Sequence, residues 1–124
     1  MPKIMSTDKI KASVDGLSIK LKSLRDRLKN EGASLELFSD RQSITSEIIE
    51  VTYNTRGTKF ENKGKKLNKD GGQVYRDILS NIKSKTLIEA YHSKDQYIKR
   101  YAAEVLIRKY DYESGVSKSW LNKN

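Results

Sequence analysis

The chain contains no cysteine and a single histidine, His92, among its 124 residues. Disulfide frameworks and thiolate metal sites are therefore excluded, and His92 alone cannot assemble a zinc site. Apolar runs are equally scarce: none approaches the roughly 18 residues that span a bilayer as a helix, and "MPKIMSTDK" at the start offers no apolar stretch for a signal peptide. A cytoplasmic protein without membrane contact is expected. Also missing are a GxxxxGK[ST] phosphate loop, a GxGxxG turn and an HExxH helix, so no cofactor or metal is implied and no catalytic residue is assigned. Glu61-x-Lys63 matches the carboxylate-lysine half of a metal-dependent nuclease site. Asp40 is the sole candidate for the second acid, and the expectation is that the protein is not an enzyme.

Positive charge is plentiful. The formal net charge is +9, with 33% charged and only 35% hydrophobic residues, so one small core with long solvated faces is expected, in a single domain over residues 1–124. The charge is laid out in blocks. Residues 1–30 carry +5, residues 31–53 carry −4, and residues 54–69 carry +5. Such clustering attracts polyanions over a distance.

Apolar periodicity points to an all-α fold, a small bundle of four to five helices. Ile10, Val14, Leu17, Leu21, Leu24 and Leu28 recur at intervals of 4, 3, 4, 3 and 4, the seam of one helix over 8–31. Ser6 or Thr7 suits its N-cap, and Gly32 the position just past its end. Its flanks hold Lys11, Lys20, Arg25 and Arg27 and no acid, so two copies paired along this seam would repel, and a monomer is favoured over a homodimer. A second stripe, Ile44, Ile48 and Val51, is bordered by Glu47 and Glu50. The spacing predicts an antiparallel hairpin of 8–31 on 40–53, with Ser39 or Asp40 as the second cap and Leu35, Leu37 and Phe38 at the turn. "IIEVTY" is also rich in β-branched residues, which leaves a strand as the rival over 44–53.

"TRGTKFENKGKKLNKDGG", residues 55–72, holds six basic side chains, four glycines and one aliphatic residue. That composition predicts a long, flexible basic loop over 54–72, outside the core. Asp70 and Gln73 have capping-box spacing for a helix carrying Val74, Ile78 and Ile82, with a break near Ser84 before Leu87 and Tyr91. Ser93 and Gln96 have the same spacing ahead of a last helix. Ile98, Tyr101, Ala102 and Val105 form its inner face, with Tyr97, Arg100, Arg108 and Lys109 elsewhere on its circumference; the C-terminal helices fill 73–121. "GVSKSWL" has the turn of a helix-turn-helix motif, but Asp111 stands where that motif requires a small residue. Trp120 and Leu121 are expected to pin the tail to the bundle.

These features favour a small basic nucleic-acid-binding protein that holds the DNA or RNA backbone through its central loop and basic helix faces, the basic first helix contributing. Arg56, Lys59, Lys63, Lys65, Lys66 and Lys69 of the loop, with Arg100 and Arg108 of the last helix, are the candidate phosphate contacts, and tyrosines among cations can stack on bases. The alternative is a protein-protein interaction module, such as a small phage- or plasmid-type regulator or inhibitor that occupies the surface of a nucleic-acid enzyme. Its partner would present an acidic protein surface.

Overall fold

The computed structural model describes residues 6–115, which form six helices and no strand. α1 (Thr7–Glu31) starts where Ser6 Oγ accepts from the Lys9 amide and ends at Gly32, whose φ of 81° is open to glycine at little cost. Its heptad seam is buried from Ile10 to Leu24. α2 (Leu35–Ser43) is capped by Ser34 and drives Leu37 and Phe38 into the core. α3 (Thr45–Asn54) follows after Ile44 alone and buries Ile48 and Val51. The helix, and not the strand, occupies 45–54.

The predicted hairpin is present in coarse form. Lys20 Nζ meets Glu47 Oε2 at 2.8 Å and Arg27 Nη1 meets Asp40 Oδ2 at 2.7 Å, so α2 and α3 run back along one flank of α1. Its partner is two helices instead of one. Residues 39 and 40 lie inside α2 and cap nothing; Asp40 serves Arg27, and Asp40 and Arg27 together fix orientation more than they add stability, as exposed pairs do.

The long basic loop is not there. A turn over 55–60 leads directly into α4 (Glu61–Asn81), a helix through most of the stretch that composition assigned to a loop. Asp70 and Gln73 consequently sit in mid-helix instead of at an N-terminus. Gly64, Leu67, Gly71, Val74 and Ile78 are all buried, at intervals of 3, 4, 3 and 4, so two glycines continue an apolar stripe. A Cβ at Gly71 would stand 2.7 Å from Ile48 Cδ1, and one at Gly64 would overlap the Thr55 side chain. Each glycine costs a helix about 1 kcal/mol relative to alanine; here both allow α3 to lie close along α4. Thr55 facing Gly64 and Ile48 facing Gly71 show the two helices to be antiparallel.

α4 breaks at Ile82 and Lys83, near the expected place, and α5 (Ser84–Tyr91) and α6 (Gln96–Ser114) pack on each other beyond it. The N-cap of α6 is Asp95, whose Oδ1 accepts from the Tyr97 and Ile98 amides at 2.8 and 3.3 Å. Ser93 is not that cap; its Oγ accepts from the Asp95 amide. Ala102 and Val105 face inward as expected, but Ile98 is largely exposed and Lys109 is buried. The core is continuous from α1 to α6, with Leu17, Ile78, Ile82, Leu87 and Val105 fully enclosed. Trp120 and Leu121 lie outside the described residues, as does all of "GVSKSWL" beyond Gly115.

Candidate nucleic-acid interface

The turn before α4 is tightly held. Thr55 Oγ1 donates to the Val51 carbonyl at 2.8 Å, Thr58 Oγ1 donates to the Thr55 carbonyl at 2.7 Å, and the Phe60 amide donates back to Thr58 Oγ1. Gly57 takes a φ of 73°, and Phe60 is buried, with the ammoniums of Lys59 and Lys63 5.4 and 6.0 Å from its ring centre. The cations of this region thus ride on an ordered turn and a rigid rod.

Helical spacing then sorts them. Lys63 and Lys66, with Asp70 one turn on, look toward α1. Together with Val14, Asp15, Ser18, Arg25 and Leu67 they line a groove of about 350 Å³ between the two helices. α1 and α4 run in the same direction here. Arg25 approaches Asp70 only loosely, at 3.9 Å, so three cations share the groove with two carboxylates. Lys65 and Lys69 point to the outer side of α4 and are exposed, as are Arg56 and Lys59 in the turn. None of these six is in an ion pair among the described residues.

α1 supplies the other wall. Lys11, Ser18, Lys22, Arg25 and Lys29 recur at intervals of 7, 4, 3 and 4, which aligns them along the flank that faces α4. The opposite flank carries Lys20 and Arg27, both answered by acids of α3 and α2; the hydrogen bond that Arg27 donates to the Asp40 carboxylate holds its guanidinium above its ordinary pKa. One flank of α1 is therefore neutralised and the other is left basic. Arg25 stands in the sequence as a basic flank residue of the first helix but not among the individual phosphate contacts; its place in that row was readable once a basic partner helix was known.

Arg100 and Arg108 do not join this cluster. α6 meets α4 at its C-terminal half, through Tyr75, Leu79 and Ser80, whereas the lysines occupy the N-terminal half. From Lys66 to Asp77 is about 16 Å along the helix, at about 1.5 Å per residue. Arg108 Nη1 donates to Tyr75 Oη at 3.4 Å, which raises its pKa, and Arg100 stands exposed on the far side of α6. A base-stacking face built on α6 from Tyr97, Arg100, Tyr101 and Arg108 is likewise not assembled. Tyr97 is 85% exposed, but Tyr101 packs inward with its ring centre 6.2 Å from that of Phe38.

Two further cations are spent inside the fold. Arg41 is buried, its Nε donating to the Gly71 carbonyl at 3.0 Å and its Nη1 to Thr45 Oγ1, with the guanidinium over the Tyr75 ring; burial lowers its pKa. Lys109 Nζ donates to the Leu79 carbonyl at 2.9 Å and pairs with Glu113. His92 ends α5, exposed, with its ring edge-on to Tyr91.

The nuclease-like pair is not brought together either. Asp40 is bound to Arg27 near the start of the α2–α3 segment, and Glu61 lies in the first turn of α4, at the far end of α3. Among the described residues no group of three or more His, Cys, Asp or Glu side chains is placed to hold a metal ion, and no helix is long and apolar enough to cross a membrane. Comparison with known proteins finds no matching family model, no matching curated protein and no matching solved structure.

Proposed function

We propose that the protein binds the phosphate backbone of nucleic acid through the face made by the N-terminal half of α4, the turn before it and the basic flank of α1. The observation that carries this reading is the sorting of charge. Acids of α2 and α3 answer one flank of α1, while Arg25, Lys63 and Lys66 converge with their neighbours on the other and lack strong partners. A row of ammoniums and guanidiniums on two helices meets a regularly spaced polyanion at small entropic cost, because the backbone carrying it is already ordered. Phosphate contacts of this kind hold a strand without reading its bases.

Anisotropy titrations of the full chain with two duplexes of unrelated sequence, across a series of salt concentrations, test the proposal. If about five cations meet phosphate, both duplexes bind alike with a slope near −4.5 in log K against log salt. A flat salt response, or no binding at low salt, overturns it and passes the basic face to an acidic protein surface as partner.

A further inference from the structure

The solvent side of α4 differs from both of its flanks. Asn62, Lys66, Lys69, Gln73 and Arg76 follow one another at intervals of 4, 3, 4 and 3, and all are exposed. They form one stripe opposite the buried row from Gly64 to Ile78. The stripe extends about 21 Å, at about 1.5 Å per residue. The acids of α4, Glu61, Asp70 and Asp77, are half-buried and stand to either side of it. No side-chain hydrogen bond or ion pair engages Asn62, Lys66 or Lys69 among the described residues. Gln73 is braced: its Nε2 donates to Asp77 Oδ1 at 2.8 Å, and its Oε1 accepts from Arg76 Nη2 at 3.1 Å. A carboxamide has two N–H donors and two lone pairs on its oxygen, so one of each is left over. A Cβ at Gly72 would stand 3.3 Å from Arg76 Nη1; glycine there leaves the room in which that guanidinium lies back toward Gln73.

We propose, resting on the nucleic-acid reading above, that α4 enters the major groove of B-form DNA with this stripe against the base edges. The protein then prefers particular sequences over a background of phosphate binding. The major groove is about 12 Å wide and admits a helix. Asparagine and glutamine meet adenine through one donor and one acceptor, the pair that Gln73 still has, whereas lysine and arginine donate to guanine O6 and N7. Asn62 and Gln73 thus select adenine, and Lys69 and Arg76 guanine, over about four to six base pairs at about 3.4 Å each. The placement of α1 suits this docking. Packed helices lie about 8–10 Å apart, which puts Lys22, Arg25 and Lys29 of α1 over the phosphates at one edge of the groove. Lys66, between the stripe and the cleft to α1, joins them. An acidic protein surface would be met as well by lysines alone and has no use for the two amides. A-form RNA keeps its major groove too deep and narrow for side chains to read, so the ligand is duplex DNA.

Selection by the full chain from a pool of DNA duplexes with a randomised centre tests this. Anisotropy then compares the selected duplex, a scrambled duplex of the same length and the RNA duplex of the selected sequence, with circular dichroism confirming that each variant folds. The pool converges on a short site with fixed A·T and G·C positions, and the selected duplex binds about tenfold or more tighter than the scrambled one. Asn62→Ala and Gln73→Ala each lose about five- to one-hundredfold on the selected duplex and nothing on the scrambled one. Each relaxes the preference at one position and leaves the salt slope unchanged, because neither side chain carries charge. The RNA duplex binds no better than the scrambled DNA. A pool that is bound without converging overturns the base reading and leaves the phosphate reading standing. So does a selected site to which both alanine variants bind like wild type, or a loss that is equal on the scrambled duplex, or an RNA duplex held as tightly as the selected DNA. No binding to the pool at low salt overturns both readings.

Discussion

Gly64 lies directly against the side chain of Thr55: a Cβ at position 64 would overlap Thr55 Oγ1, the atom that donates to the Val51 carbonyl. This contact turns a glycine-rich basic segment into a helix with a face fitted to α3. Gly64→Ala should therefore destabilise the protein by about 1–3 kcal/mol through overpacking, despite the gain of about 1 kcal/mol in helix propensity. At Gly16, where a Cβ meets nothing within 4 Å, alanine should stabilise by about 0.5–1 kcal/mol. Urea unfolding of the two variants separates these signs, and equal gains for both would refute the close-packing account.

That pair also explains what the sequence could and could not convey. Ile10 to Leu28 and Ile44 to Val51 were legible because aliphatic side chains mark a buried face by themselves. Gly64 and Gly71 occupy the same kind of position in α4, yet glycine marks flexibility as readily as close packing. Only Leu67 between them signalled the stripe, and the flanking lysines and asparagines drew the reading toward a loop. The caps divide in the same way: Ser6 follows from its own helix, but Asp95 prevails over Ser93 by a local choice that spacing alone does not decide. For the site, the lysines were legible as a cluster. Their division between groove and outer surface was not, since it depends on which side of α4 meets α1. Lys109 was assigned to the surface because nothing local shows that the carbonyls at the end of another helix await a donor.

Lys109 should prove structural. The last carbonyls of a helix have no partner within it, and Lys109 Nζ supplies donors to those of Leu79 and Ser80 at 2.9 and 3.4 Å. Lys109→Met keeps the aliphatic stem and removes the donors, leaving two carbonyls without this donor. A loss of about 1–3 kcal/mol in urea unfolding is expected. Exposed Lys94→Met serves as the control and should change stability by less than about 0.5 kcal/mol. Matching effects at the two sites would show the buried hydrogen bonds to be dispensable.

Tyr101 gives the fold a sensitivity to alkali. Its hydroxyl is buried without a hydrogen bond, and burial raises its pKa above the ordinary phenol value, with nearby Ser39 acting in the opposite direction. Above the unfolded tyrosine value near 10 the unfolded chain gives up this proton more readily than the native one, so native stability falls as pH rises through the raised value. Below that range the contribution is intact. Tyr101→Phe removes both the titration and an unsatisfied polar group, so it should leave stability at pH 7 unchanged or higher by up to about 1 kcal/mol. It should also flatten the decline above pH 10. Thermal melts of the two proteins between pH 7 and 11 measure this, and an unaltered alkaline slope would assign the sensitivity to other groups.

The division of the lysines yields the sharpest test of the proposed interface. Lys63→Gln/Lys66→Gln removes the two cations that share the groove with Arg25, whereas Lys65→Gln/Lys69→Gln removes the same charge from the outer side of α4. All four side chains are exposed, so each pair should shift stability by no more than about 0.5 kcal/mol. If phosphate lies along the face between α1 and α4, the groove pair loses more affinity for duplex, and its salt slope shrinks by about 0.9 for each cation removed. Arg25→Gln should weaken binding in the same way and add little once Lys63 and Lys66 are gone, because the three serve one stretch of backbone. Arg100→Gln, on the far side of α6, should leave the slope alone. Equal losses from both lysine pairs and from Arg100→Gln would mean that total charge governs binding, and that the sorting of cations on the two helices has no part in it.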